Sequence, residues 1–374
     1  MKPETAAVHE GTLHDENTGG MNSPIYTSSA YDYTIREEIP YPRYFNTPNQ
    51  TAVGAKIAAL EKGEAGAVFG SGMAAISSSV MAFAGTGDHV VLLDELYGGT
   101  HKLATMWFSH FGIEYSFAAT DVDDIMEKTR DNTRVIVVES PTNPLLNVLD
   151  IGRVARYAQS EGIITVMDNT FATPVNQNPL LWGMDIVVHS GTKYMGGHSD
   201  LCCGMAVSSR EKMDRIVSLA CSLGPSLDPG LCYLLERSMK TLSIRVERQT
   251  HNAVRIAEHL DRMPSVRRVC YPGLADGPGY ETAKAQMKGF GGMISFELDG
   301  KDPVRFLKNL RLIRPAVSLG GVETTICSPA LTSHAEMAAE ERERIGVTDS
   351  LLRLSVGVEH TDDIIDDMEY ALRH

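Results

Sequence analysis

From residue 47 to residue 207 the chain repeats one pattern, in which a short apolar run is followed by a stretch of helical length and then by another run. The runs are His89–Asp94, Val135–Glu139, Ile163–Asp168, Asp185–His189 and Gly204–Val207, and Ile151–Gln159 is a representative amphipathic link between two of them. Continuous apolar runs suit strands covered on both faces. Their alternation with helices predicts an α/β domain built on a mainly parallel sheet. Ligands of such sheets collect beyond the carboxyl ends of the strands. Many of the polar residues discussed below stand at those ends.

After Pro229 the texture changes. Residues 230–263 lack Pro and carry Gly only at the start, which reads as one long helix or two abutting ones. Strand-like runs follow at Val266–Tyr271, Met293–Leu298 and Leu352–Val356. A last helix is expected over Thr361–Leu372, with Thr361 as N-cap and acidic residues in its first turn. These segments predict a smaller α+β domain over 230–374 behind a ligand-binding domain over 47–229. Residues 1–46, rich in Gly, Pro, Ser and Tyr, read as an extended arm.

The formal charge of −14, from 34 basic against 48 acidic residues, argues against a nucleic-acid or anionic-membrane surface. It leaves a phosphate ligand open, because clustered backbone N–H groups bind one whatever the net charge. Six cysteines without a CxxC pair read as reduced thiols, and the polar, acidic first residues do not form a signal peptide. No apolar stretch is long enough to span a bilayer, so a cytoplasmic location is expected. No metal site is expected, since the histidines show no HExxH-like spacing.

The strongest chemical signal is the run from Asp185 to Ser199, where a strand leads into Ser190-Gly191-Thr192-Lys193 and then Gly196-Gly197. A lysine after a strand is most often a solvated surface residue. Hydroxyls flank this one, and glycines let the backbone approach closely. A lysine withdrawn from water loses its proton more readily and becomes an amine nucleophile, as Schiff-base chemistry requires.

This stretch resembles the lysine signature of the Cys/Met metabolism (transsulfuration) enzymes, which depend on pyridoxal 5'-phosphate (PLP). The similarity runs from Pro24-Ile25-Tyr26 to the C-terminal Leu352-Arg353-Leu354-Ser355-Val356-Gly357-Val358-Glu359, with several motifs in family order. It implies an aspartate-aminotransferase-like fold with a seven-stranded type of sheet. It also implies that Lys193 holds PLP as a Schiff base, with Ser190 and Thr192 on the phosphate.

Phe69-Gly70-Ser71-Gly72-Met73 opens a helical pattern. By itself it reads as a plain turn; by resemblance the N–H groups of Gly72 and Met73, with Ser71 beside them, cradle the phosphate. Asp168 at a strand end would serve equally to cap a turn. The resemblance gives it the pyridine nitrogen, which a paired carboxylate keeps protonated. Tyr97 would otherwise be a packing aromatic, and by resemblance stacks on the cofactor ring and moves a proton. Asn143, a plausible turn residue before Pro144, resembles the residue that contacts the 3-hydroxyl.

Arg353 stands in an apolar strand, where a charge needs solvent or a partner. The family equivalent binds the substrate's α-carboxylate in a two-point fork, and Ser318 matches a second residue at that end. Tyr41 and Arg43, in Tyr41-Pro42-Arg43-Tyr44-Phe45-Asn46, resemble a segment that reaches the neighbouring subunit's phosphate. A homodimer or homotetramer with shared sites is implied, although Phe45 stands where relatives carry Gly and Thr47-Pro48 inverts their Pro-Thr order.

The resemblance implies small amino-acid substrates and γ-elimination or γ-replacement. Gly99 stands where methionine γ-lyases carry Cys, and Val317 where many cystathionine γ-lyases and some γ-synthases carry Glu. Lys102 replaces an Arg common near this point. Cystathionine γ-lyase or γ-synthase chemistry is the expectation. Methionine γ-lyase, cystathionine β-lyase, homoserine-ester sulfhydrylase, an aminotransferase and a catalytically silent PLP-binding regulator are the alternatives.

Overall fold

A computed structural model describes residues 1–333, 335 and 339–374. The expected α/β domain is organised by a seven-stranded sheet. Its strands are β1 (Ala65–Phe69), β2 (His89–Leu93), β3 (Glu114–Ala118), β4 (Thr133–Glu139), β5 (Ile164–Asp168), β6 (Ile186–Ser190) and β7 (Gly204–Ser208). The order is β1-β7-β6-β5-β4-β2-β3, and β7 alone runs against its neighbours. Every residue of β2 is buried, as an apolar run covered on both faces requires.

The Ile151–Glu161 helix shows how local sequence builds one of the covers. Asp150 caps its start by accepting the Arg153 N–H at 2.8 Å, and Gly162 ends it with a φ of +68°. Ile151, Val154, Ala155 and Ala158 form the buried stripe between those ends.

A five-stranded sheet follows, with β8 (Val266–Cys270), β9 (Met293–Leu298), β10 (Arg314–Pro315), β11 (Thr325–Cys327) and β12 (Leu351–Ser355) in the order β10-β11-β12-β9-β8. Ile256 and Leu260 from the Leu242–Asp261 helix and Ile364 and Met368 from the last helix pack with Phe296 and Leu354 in its core.

Two sequence expectations need correction. Thr361 does not cap the last helix, which begins at Thr361 after His360; the Thr361 hydroxyl instead donates to Asn252 at 2.7 Å. The first residues are not wholly extended, since Pro3–His9 forms a helix. That helix is short, and its position depends on a distant residue. Buried Lys56 donates from Nζ to the Ala7 carbonyl at 2.9 Å.

Candidate active site

The carboxyl ends of β4, β5 and β6 open onto a cleft of about 480 Å³ that the five-stranded side closes with Ser318, Leu319 and Arg353. Parallel register sets Glu139 directly beside Asp168. After β6 the chain crosses residues 191–203 before returning as β7, and Lys193 lies in that link. Arg245, from the Leu242–Asp261 helix, fixes the link by donating to the carbonyls of Tyr194 at 2.7 Å and Met195 at 3.4 Å. Gly197 adopts a φ of +70° with the Arg245 guanidinium where a Cβ would stand, so this turn admits no side chain.

Lys193 Nζ points into the cleft and donates to Ser318 Oγ at 2.8 Å. Burial lowers the pKa of this amine, and the nearby Arg353 charge lowers it further. Ser318 holds a φ of +81°, a left-handed conformation rare for a residue with a side chain, at the point where it meets the lysine. Burial raises the Asp168 pKa, opposed by hydrogen bonds from Thr170, whose N–H reaches Oδ1 at 2.9 Å.

At the opposite end Ser71 caps the Gly72–Met81 helix by accepting the Ala74 N–H at 3.1 Å. The first-turn N–H groups of Gly72 and Met73 have no partner within the helix and lie on the cleft wall with Ser190 and Thr192. A Cβ at Gly72 would stand 2.9 Å from Ser190 Cβ, so glycine is what lets this helix end approach β6. The Thr192 hydroxyl donates to the Cys203 carbonyl at 3.2 Å and accepts its N–H at 3.1 Å.

Tyr97 stands at the mouth, 44% exposed. Arg353 is buried, and its Nη1 donates to Asn143 Oδ1 at 2.6 Å, so two residues given separate tasks by the sequence touch one another. Tyr41 and Arg43 lie outside this chain's cleft; Arg43 Nη1 donates to the Cys221 carbonyl at 2.7 Å.

Sequence reasoning missed two cleft residues. Thr170 orients Asp168 and accepts the Ser190 N–H at 2.9 Å, and the Asp-Asn-Thr spacing typical of an Asx turn was its signal. Glu139 accepts the Tyr97 N–H at 3.0 Å, and burial followed by repulsion from Asp168 raises its pKa well above the usual carboxylate value. Its apolar strand gave no sign of a buried acid.

Residues 4–373 match the family model of the Cys/Met metabolism PLP-dependent enzymes. The chain belongs to that family. Cystathionine beta-lyase of Bacillus subtilis (strain 168) is 44% identical over 375 residues, covering 99% of this chain and 96% of the relative. Cystathionine gamma-lyase of the same organism is 43% identical over 379 residues, covering 100% of each. Among solved structures, cystathionine gamma-lyase from Lactobacillus plantarum complexed with L-serine has a TM-score of 0.96 at 40% identity, covering 100% of this chain and 99% of that one.

The Cys/Met metabolism enzymes are PLP-dependent, and this chain is such an enzyme acting on sulfur amino acids. The catalytically silent alternative does not fit these relatives. The cleft suits the cofactor on its own terms: partnerless helix N–H groups and a serine hydroxyl at one end, a buried carboxyl in the middle, and an amine of lowered basicity opposite. Among the described residues no cluster could hold a metal ion, and no helix is long and apolar enough to cross a membrane.

Proposed function

We propose that the protein cleaves the carbon–sulfur bond of cystathionine on the γ side, as a cystathionine γ-lyase. What supports the γ-lyase reading is the 43% identity, over the whole of both chains, to the cystathionine gamma-lyase of Bacillus subtilis (strain 168). The cleft wall supplies the parts that any of the related reactions needs: Arg353, buried beside Asn143, as a fixed cation for an α-carboxylate, and Lys193, held by Ser318 at 2.8 Å, as an amine able to take an α-proton.

Gly72, Met73, Ser71, Ser190 and Thr192 would hold the PLP phosphate, Asp168 its ring nitrogen, Asn143 its 3-hydroxyl and Lys193 its aldehyde carbon. Bound there, PLP supplies the sink for the electrons released when an α-proton leaves. The Arg353 guanidinium binds the substrate carboxylate in fork geometry and so fixes which face of the α-carbon meets Lys193. Burial keeps a larger share of Nζ unprotonated than on a surface lysine, so Nζ is better able to take that proton. Ser318 receives the ammonium hydrogen and holds Nζ in place. Departure of a γ-substituent also needs a proton to leave Cβ, which Nζ would take after passing the first one on, while Tyr97 Oη, at the mouth, would give a proton to the departing sulfur.

Tyr41 and Arg43 belong to this reading as residues of a neighbouring chain's site, in a homodimer or homotetramer. Their place on the outside of this chain's cleft supports it. Tyr41 would also border the neighbour's substrate. A cytoplasmic location goes with the same reading.

A cystathionine β-lyase is the second reading, favoured by the 44% identity to such an enzyme over 99% of the chain. A γ-synthase using an activated homoserine ester is the third, favoured by the fold match at a TM-score of 0.95 to a synthase structure from Xanthomonas oryzae pv. oryzae. Product assays on the PLP-loaded protein separate all three. Cysteine with a four-carbon keto acid is the expected outcome from cystathionine; homocysteine with pyruvate establishes β-cleavage instead. Cystathionine formed only from homoserine ester plus cysteine establishes the synthase.

A further inference from the structure

Behind the cleft, on the far face of the sheet, lies a buried polar cluster that the chemistry above does not use. Glu61 ends the Pro48–Glu61 helix and is fully buried. Its Oε1 accepts from Asn169 Nδ2 at 2.8 Å and from His189 Nε2 at 2.6 Å. Asn169 directly follows Asp168, and His189 directly precedes Ser190. Side chains alternate along extended chain, so these neighbours turn away from the cleft where Asp168 and Ser190 line it.

The cluster stands where the support between β5 and β6 is ending, although β6 stays paired to β7 as far as Ser190. The β5–β6 ladder stops at Asp168↔Val188, and beyond it Asn169 N–H reaches the Val188 carbonyl at 3.0 Å. Gln177 extends the cluster, donating from Nε2 to Asn169 Oδ1 at 3.0 Å and to the Ser140 carbonyl at 2.9 Å, beyond β4. Three strand ends that border the cleft are therefore tied together from behind.

Well-packed aliphatic side chains often replace such buried polar groups without loss of stability, but they impose no direction on the groups they touch. The cluster also leaves Glu61 Oε2 and His189 Nδ1 buried without a partner. A core selected only for stability avoids such atoms. Directional bonds to two strand ends are what the arrangement provides in return.

We propose that Glu61 is a positioning residue for cofactor capture, holding Asp168 and Ser190 in place through Asn169 and His189. The inference rests on the reading that Asp168 takes the PLP ring nitrogen and Ser190 the phosphate. It divides the cluster into two arms, Asn169 serving the ring and His189 serving the phosphate.

The test measures the affinity of the full-length apo-protein for PLP and for pyridoxal, which lacks the phosphate. Apo-protein melting temperatures establish that each variant is folded. Glu61→Ala weakens PLP binding about tenfold, the size set by losing one or two hydrogen bonds. Glu61→Gln keeps an oxygen where Oε1 stands and restores the affinity. Asn169→Ala weakens both aldehydes alike, whereas His189→Ala, which also removes a group near Asp168, weakens PLP more than pyridoxal.

Folded variants that bind both aldehydes as wild type does would overturn the inference. So would losses that fall equally on both aldehydes in both arm variants. If Glu61→Ala does not fold, the two arm variants decide alone. A wild-type protein that captures PLP through Lys193 keeps the site reading intact whichever way the variants behave. One that captures neither aldehyde overturns the site reading and this inference together.

Discussion

Lys193 differs from a surface lysine in three respects: it is partly buried, it lies near the Arg353 charge, and Ser318 holds it at 2.8 Å. Burial acts first and the cation second, and both favour the uncharged amine. Capture of PLP by Lys193, followed by borohydride trapping across a pH series, should therefore rise with a midpoint below the ordinary lysine value of about 10.4. A midpoint at the ordinary value would refute the environment described. Arg353 belongs to the same wall, and its fork cannot be copied by an ammonium. Arg353→Lys should raise KM by roughly 10- to 100-fold, the equivalent of one charge-assisted hydrogen bond, while the melting temperature changes little. An unchanged KM would remove Arg353 from the carboxylate role.

At the level of elements, the approach of the Gly72–Met81 helix to β6 sets a test of how closely the two must meet. A Cβ at position 72 would press on Ser190 Cβ at 2.9 Å and on its Cα at 3.0 Å, and at the first position of the helix alanine gains little in return. Gly72→Ala should lower PLP affinity about tenfold and the melting temperature of the apo-protein with it; equal affinity would show that the contact relaxes freely. Continuous apolar runs mark most of the strands: Met293–Leu298 has its exact bounds in the sequence, and β2, β4, β5, β6 and β7 lie within two residues of their runs at each end. β1 and β3 escape this pattern, because Ala65-Gly66-Ala67 is a run of small residues and in β3 Glu114 is exposed and Tyr115 and Ser116 half-buried. In the site, Lys193 and Asp168 were legible because hydroxyls, glycines and a strand end surround them. Thr170 and Glu139 were not, nor was Glu61 behind the cleft, because their partners are residues that only the folded sheet brings near.

For the molecule as a whole, the buried ammonium of Lys56 links pH to stability. Burial lowers its pKa from 10.5 to about 8, so between those values the unfolded chain binds the proton that the folded chain has released. Stability is gained as pH rises through this window. Lys56→Met should remove that gain, read as urea midpoints of wild type and variant that diverge in favour of wild type from pH 7 to 10. Parallel curves would show that Lys56 is not buried in solution. If Tyr41 and Arg43 complete a neighbour's site, mixing inactive Arg43→Ala with inactive Lys193→Ala should restore activity, since a mixed pair contains one site with both residues intact; no recovery after subunit exchange would confine each site to one chain.

The Lys193 link has a consequence for the order in which this protein is made. A chain leaving the ribosome has all seven strands of the large sheet by Ser208, yet the side chain that fixes the lysine turn belongs to Arg245, and those that close the cleft belong to Ser318 and Arg353. A nascent chain stalled after the large sheet would hold the reactive lysine without its frame. Cofactor loading thus waits on residues as far along as Arg353, well after the strands of the large sheet have been made.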